Sequence, residues 1–137
     1  MWKDNAILSL KIKYLNKEII LLDSLQLIPD NLENILISFN SKTLKSKFPY
    51  KFVNKNNLYF TGNKPDIKFY KNISEQEYLK IPKTNWDLKK ETLGYLKSDI
   101  EGLLEVVLKF RDNIHKKYKL NITKFKTLPG LALGAYI

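Results

Sequence analysis

The sequence predicts an α/β chain, and three observations carry that prediction. Two runs rich in β-branched residues and leucine lie near the amino-terminal end, separated by Asn16 and Lys17. A short apolar pattern at helical spacing follows Pro29, and a far longer one begins near Trp86 and runs to about Tyr118. The 137 residues suffice for one domain with a core and fall short of two, and 44% hydrophobic content suits a packed protein.

The elements follow in order. Over residues 6–14, Ile7, Leu8, Leu10, Ile12 and Tyr14 partly alternate with polar positions, and residues 18–22 resume the pattern as the second strand of a hairpin. Asp30 is expected as an N-cap with Glu33 as its partner, opening a helix over residues 31–39 that carries Leu32, Ile35, Leu36 and Phe39 on one face. Residues 40–87 lose periodicity, and Pro49, Gly62, Pro65 and Pro82 punctuate them. A loop of that length inside a compact domain tends to be functional. Ser74, with Glu77 three residues on, predicts one short helix within it. In the long helix, Leu93, Leu96, Ile100, Leu103, Leu104, Val107, Leu108, Arg111 and Ile114 fall on or near one face, with Lys116, Lys117 and Lys119 at the end where the dipole favours cations. Residues 121–137 are less regular, and Pro129-Gly130 reads as a turn. The expected architecture is a hairpin, a short helix, a long loop and a long helix, with the small sheet packed on that helix.

Composition excludes several chemistries. Without cysteine there are no disulfides, thiolate metal sites or cysteine nucleophiles, and the single histidine, His115, builds no histidine cluster. Apolar runs such as residues 19–22 are far short of a bilayer span, so no membrane partner is expected. Arg111 is the only arginine, unlike an arginine-rich transit peptide, and no import signal is visible. The 24 basic and 14 acidic residues give a formal charge of +10, which would attract nucleic acid in a salt-sensitive way. The abundance of Lys, Asn and Ile fits the codon usage of an adenine- and thymine-rich genome equally well.

Within the long helix, Tyr95 and Asp99 stand one turn apart on the same face. In metal-dependent exonucleases such an aspartate offers hard oxygen ligands to a divalent cation while the tyrosine hydroxyl orients the attacking water. The pair also fits a half-buried tyrosine beside a solvated aspartate. Asp99 and Glu101 form an Asp-x-Glu, but residues two apart on a helix point to different sides and cannot grip one metal together. In the loop, Phe48, Tyr50, Phe52, Tyr59 and Phe60 interleave with Lys45, Lys47, Lys51 and Lys55, a mixture suited to stacking on single-strand bases. Packing of these rings within the fold explains most of them as well.

An ordered series of short motifs runs through the chain: residues 23–29 (Asp-Ser-Leu-Gln-Leu-Ile-Pro), 47–50 (Lys-Phe-Pro-Tyr), 57–62 (Asn-Leu-Tyr-Phe-Thr-Gly), Trp86-Asp87-Leu88, 95–99 (Tyr-Leu-Lys-Ser-Asp), Asn121-Ile122-Thr123 and Thr127-Leu128-Pro129. The series resembles the organellar and viral, protein-primed family B DNA polymerases, notably those of linear mitochondrial plasmids, in the back part of their 3'–5' exonuclease domain. The resemblance implies a partial ribonuclease H-like exonuclease domain over residues 1–137. Tyr95 and Asp99 would be the water-orienting tyrosine and a metal ligand of the third exonuclease motif. Lys47 would be the lysine of the Lys-x-x-hydrophobic motif that assists the reaction, with Tyr50 at its last position. Ser24 and Leu25, with Ile28, would match the motif that contacts single-stranded DNA.

The resemblance further implies Mg2+ or Mn2+ as cofactor of the full-length family, held by four carboxylates from three motifs, and not bound stably by this chain, which supplies one of the four. It implies the 3' end of single-stranded DNA as partner, with a complementing polymerase fragment or a terminal protein as further candidates, and a mitochondrial location. The Asp-x-Glu motif of the family would precede Met1, and the Tyr-x-Gly-Gly linker and polymerase motifs would follow Ile137, so the expected chain is a piece of the polymerase, inactive alone. Two alternatives stand beside it: a non-catalytic single-strand-binding remnant or degenerate reading frame, and an unrelated basic interaction protein.

Overall fold

The computed structural model describes residues 2–3, 6–43 and 45–137. Among the described residues it is mixed α/β, with three two-stranded antiparallel ladders and one dominant helix. Strand β1 (Trp2–Lys3) pairs with β2 (Ala6–Ile7), and β3 (Ser9–Tyr14) with β4 (Lys17–Leu22). Helix α1 is Leu32–Ser38; β5 (Thr61–Gly62) pairs with β6 (Trp86–Asp87), and α2 (Glu75–Lys80) lies between them in sequence. The 31-residue helix α3 runs Leu88–Tyr118, and α4 is Leu128–Tyr136. The chain contacts group into two compact units. One is Met1–Ser41 with Leu103–Ile137, and the other is Lys42–Gly102.

In the first unit the expected hairpin forms over residues 9–22, but its first strand is shorter than the expected 6–14, because Ala6–Ile7 pairs with Trp2–Lys3 instead. Its two-residue turn puts Leu15 at φ 53°, in the left-handed region. The register places Leu10, Ile12, Tyr14, Ile19 and Leu21 on one face with Lys17 at its end, and Ile20 and Leu22 on the other. That other face also carries Lys11 and Lys13, which pair with Glu18 at 3.0 and 3.9 Å. The expected packing of this sheet on the long helix is not found. Every residue of β4 and all of β3 but Ser9 is exposed. The unit's core instead gathers Leu27, Ile28, Ile35, Leu36, Val106, Ile122 and Leu131.

Helix α1 starts one residue later than expected. Asn31, not Asp30, is the N-cap, accepting from the Asn34 N–H at 3.0 Å, while Asp30 accepts from Asn31 N–H and Asn34 Nδ2. At its far end Asn40 adopts φ 50°, and Ser41 N–H reaches back to Leu36 O at 2.8 Å, the pattern that closes a helix with a left-handed residue. Lys109 Nζ donates to the carbonyls of Phe39 and Asn40 there, at 3.1 and 3.0 Å, so a cation sits where the dipole favours it.

The Pro129-Gly130 turn is a correction: these residues belong to the first turn of α4. Proline fits that turn because its missing N–H would be unsatisfied anyway. Thr127 caps the helix, accepting from Gly130 N–H at 3.3 Å. Gly134 is required by close approach, since a Cβ there would lie 2.7 Å from the Phe125 ring.

In the second unit Phe48, Trp86 and Leu88 are buried, with Phe52, Phe60, Ile81 and Tyr95 packed around them. Phe52 meets Phe60, Phe69 and Trp86 edge-on at centroid distances of 5.0, 5.5 and 5.8 Å. The long loop is thus held by rings, by short turns and by the β5–β6 bridge. Helix α2 carries the expected capping box between Ser74 and Glu77. Two carbonyls at its far end, those of Tyr78 and Ile81, accept from Lys64 Nζ at 2.7 and 3.0 Å.

Candidate functional site

Helix α3 positions the site. Asp87 caps it, accepting from Lys90 N–H at 2.9 Å, and fixes the rotation of the residues that follow. Leu88, Tyr95, Asp99, Gly102 and Val106 then fall on one line, and Leu88 and Val106 are 2% and 0% exposed. The face expected from periodicity is found in part: Leu103, Val107 and Ile114 pack against the core of the first unit, whereas Leu93, Leu96, Ile100 and Leu104 are each more than half exposed. The inward line is what holds Tyr95 against Phe48, with ring centroids 5.1 Å apart.

The hydroxyls of Tyr50 and Tyr95 share a hydrogen bond, and Tyr95 also bonds to the Asp99 carboxylate. A carboxylate only accepts, so Tyr95 donates to Asp99 and receives from Tyr50. The direction is therefore Tyr50 to Tyr95 to Asp99. Burial first, then these two hydrogen bonds and the nearby charges, pushes the Tyr95 phenol far above its ordinary range, so it stays protonated. Asp99 Oδ1 is buried and accepts no hydrogen bond. Glu101, by contrast, faces Lys97 at 3.8 Å, as the Asp-x-Glu spacing on a helix requires.

A cavity of about 300 Å³ opens beside this chain, lined by Ser46, Lys47, Tyr95 and Ser98, and by Lys90, Glu91 and Gly94 of the helix. Lys47 and Tyr95 therefore share one cavity, and Tyr50 and Asp99 are each hydrogen-bonded to Tyr95. Lys47 also contributes, after the Ser74 hydrogen bonds, to holding the Glu77 carboxyl below its usual range. Ser24 and Leu25 belong to the other unit. They lie in a short 3-10 turn where Asp23 accepts from Leu25 N–H at 3.0 Å, and Leu25 is half exposed. Of the loop rings, Phe48, Phe52 and Phe60 are packed, whereas Tyr50 is half exposed and Tyr59 is 88% exposed.

The residues present fit a divalent cation only in part. Asp99 offers one hard, unpartnered oxygen, but among the described residues no group of three or more His, Cys, Asp or Glu could hold a metal. Among the same residues no helix is long and apolar enough to cross a membrane.

Sequence reading missed Tyr70, which is 6% exposed with its hydroxyl buried and unpartnered. Its phenol is pushed up to about 12, by burial first and then by Tyr78 and Glu91. Between the ordinary value of 10.0 and about 12 the folded chain holds a proton the unfolded chain has lost. Stability is intact below that window and falls as pH rises through it. Urea melts at stepped pH should show this alkaline loss, and Tyr70→Phe should reduce its slope by one proton. An unchanged slope would remove Tyr70 as the cause.

A sequence profile described as DNA polymerase type B, organellar and viral, matches residues 1–136. A probable DNA polymerase of Agaricus bitorquis is 42% identical over 98% of this chain. Those of Podospora anserina and Neurospora intermedia are 36% and 35% identical over 88% and 84% of it. The chain spans 18%, 10% and 13% of these relatives' lengths. No solved structure matches it. With a profile match over nearly all of its residues, the chain belongs to the type B DNA polymerases of organelles and viruses.

Proposed function

We propose that this chain forms part of the 3'–5' exonuclease and DNA-binding region of a replicative DNA polymerase, acting at the 3' end of single-stranded DNA. The observation that carries this reading is the hydrogen-bonded order Tyr50, Tyr95, Asp99, beside a cavity that Tyr95 shares with Lys47. In this reading Asp99 Oδ1 is one ligand of a Mg2+ or Mn2+ ion, and Tyr95 orients the attacking water. Lys47 offsets charge that develops on the scissile phosphate. Ser24 and Leu25 are read as DNA contacts. The hairpin and α3 are read as elements of a ribonuclease H-like domain, working in mitochondria.

A metal pair about 3.5–4 Å apart needs more carboxylates than Asp99. Cleavage by this chain alone is therefore not expected, and a complementing polymerase segment would have to supply the rest. A second reading, single-strand binding without catalysis, is favoured by the +10 charge and the exposed Tyr59 ring.

Titrating a single-stranded oligonucleotide against salt tests the common ground of both readings. Affinity should fall steeply with salt, with a slope near −0.7 per phosphate neutralised, and Lys47→Ala should flatten the slope by about one contact. Absent or salt-insensitive binding would sink both readings.

A further inference from the structure

Glycine is the least favourable residue in a helix interior after proline, so Gly94, inside the 31-residue α3, calls for a reason. Backbone conformation does not give one, because Gly94 lies within regular helix. Packing does not either: a Cβ at Gly94 would meet nothing within 4 Å, whereas the one at Gly134 would strike Phe125. What lies over Gly94 is the cavity it lines with Lys47 and Tyr95. At about 300 Å³ that cavity is at the small end of ligand pockets, the size for one nucleotide rather than a stretch of strand. Lys47 and Lys90 at its walls outnumber the Glu91 carboxylate, which suits a phosphate.

We propose that Gly94 is a specificity-determining position whose missing side chain keeps the cavity open to a single nucleotide, the 3'-terminal one of a DNA strand. This rests on the exonuclease-region reading above and adds to it what limits the size of the bound group. A leucine at this position would project into the cavity and occupy the space beside Tyr95.

The test uses the full chain as wild type, Gly94→Ala and Gly94→Leu, with a linear single-stranded oligonucleotide and a circular one of the same composition. Both variants should melt at higher temperature than wild type, since each is a better helix former. Gly94→Leu should bind the linear strand about tenfold more weakly, and Gly94→Ala about two- to threefold, while the circle loses less than about twofold. Equal affinity of Gly94→Leu and wild type for the linear strand, or equal losses on line and circle, would overturn the proposal. Should Gly94→Leu fail to fold, the Gly94→Ala comparison decides it on the same terms. Wild type that binds neither strand would instead sink the reading on which the proposal stands.

Discussion

Trp86→Ala is expected to cost about 3–5 kcal/mol, the usual penalty for removing a large buried ring, and to open the Lys42–Gly102 unit. Trp86 is 3% exposed and meets Phe52 and Phe60 at 5.8 and 6.1 Å. Its backbone pairs with Gly62 in the β5–β6 bridge, and the next two residues are the cap and first residue of α3. One side chain therefore ties the irregular loop to the helix that carries Tyr95 and Asp99. A small domain has only about 5–15 kcal/mol to lose, so the effect should be plain in urea melts. Amide exchange should show protection lost first around Phe52, Phe60 and Tyr95. A cost below about 1 kcal/mol would mean that the ring cluster does not hold this unit together.

Asp99→Ala is expected to act in the opposite sense on stability. A buried carboxylate oxygen without a partner costs about 1–3 kcal/mol of lost solvation, and alanine is the better helix former. The variant gives up the hydrogen bond from Tyr95, worth about 1 kcal/mol, but leaves Tyr95 bonded to Tyr50. The net expectation is a chain as stable as wild type or more stable by about 1 kcal/mol. A single carboxylate oxygen should give only weak, transient Mn2+ broadening around residue 99 in the wild-type chain, and that broadening should meanwhile disappear in the variant. Higher stability with lost cation response marks a residue kept for function at the expense of the fold. A loss of about 2 kcal/mol or more, or Mn2+ broadening that survives the substitution, would assign Asp99 a structural role instead.

How much of this was legible in the sequence differs by element. Caps read well: Ser74 and Glu77 do what their spacing promised, because a capping box needs only residues three apart. The hairpin also read well, since alternation is a local signal. Asn31 displaced Asp30 as cap because either side chain can reach a free N–H, and only the backbone decides. The inward line of α3 was read only in its second half, where Leu103, Val107 and Ile114 pack as expected. The helix carries two apolar lines, and periodicity reveals a line without saying what covers it. Leu93, Leu96 and Ile100 made the louder pattern, yet Leu88, Tyr95 and Val106 made the core. At the site, the pairing of Tyr95 with Asp99 was legible from spacing. The bond to Tyr50, 45 residues away in sequence, needed the fold. Tyr70 and the cavity over Gly94 left no sequence signal, because neither burial nor empty space is written in residue type.

The two-faced hairpin governs how the chain must be handled in the laboratory. Its Lys11–Glu18–Lys13 face is strongest in dilute buffer, where ions do not screen it. The Leu10, Ile12, Tyr14, Ile19 and Leu21 face grows stickier as sulfate or phosphate is added. Ammonium sulfate fractionation should therefore precipitate this chain early despite its high charge. Stocks kept dilute in modest chloride should stay clear the longest.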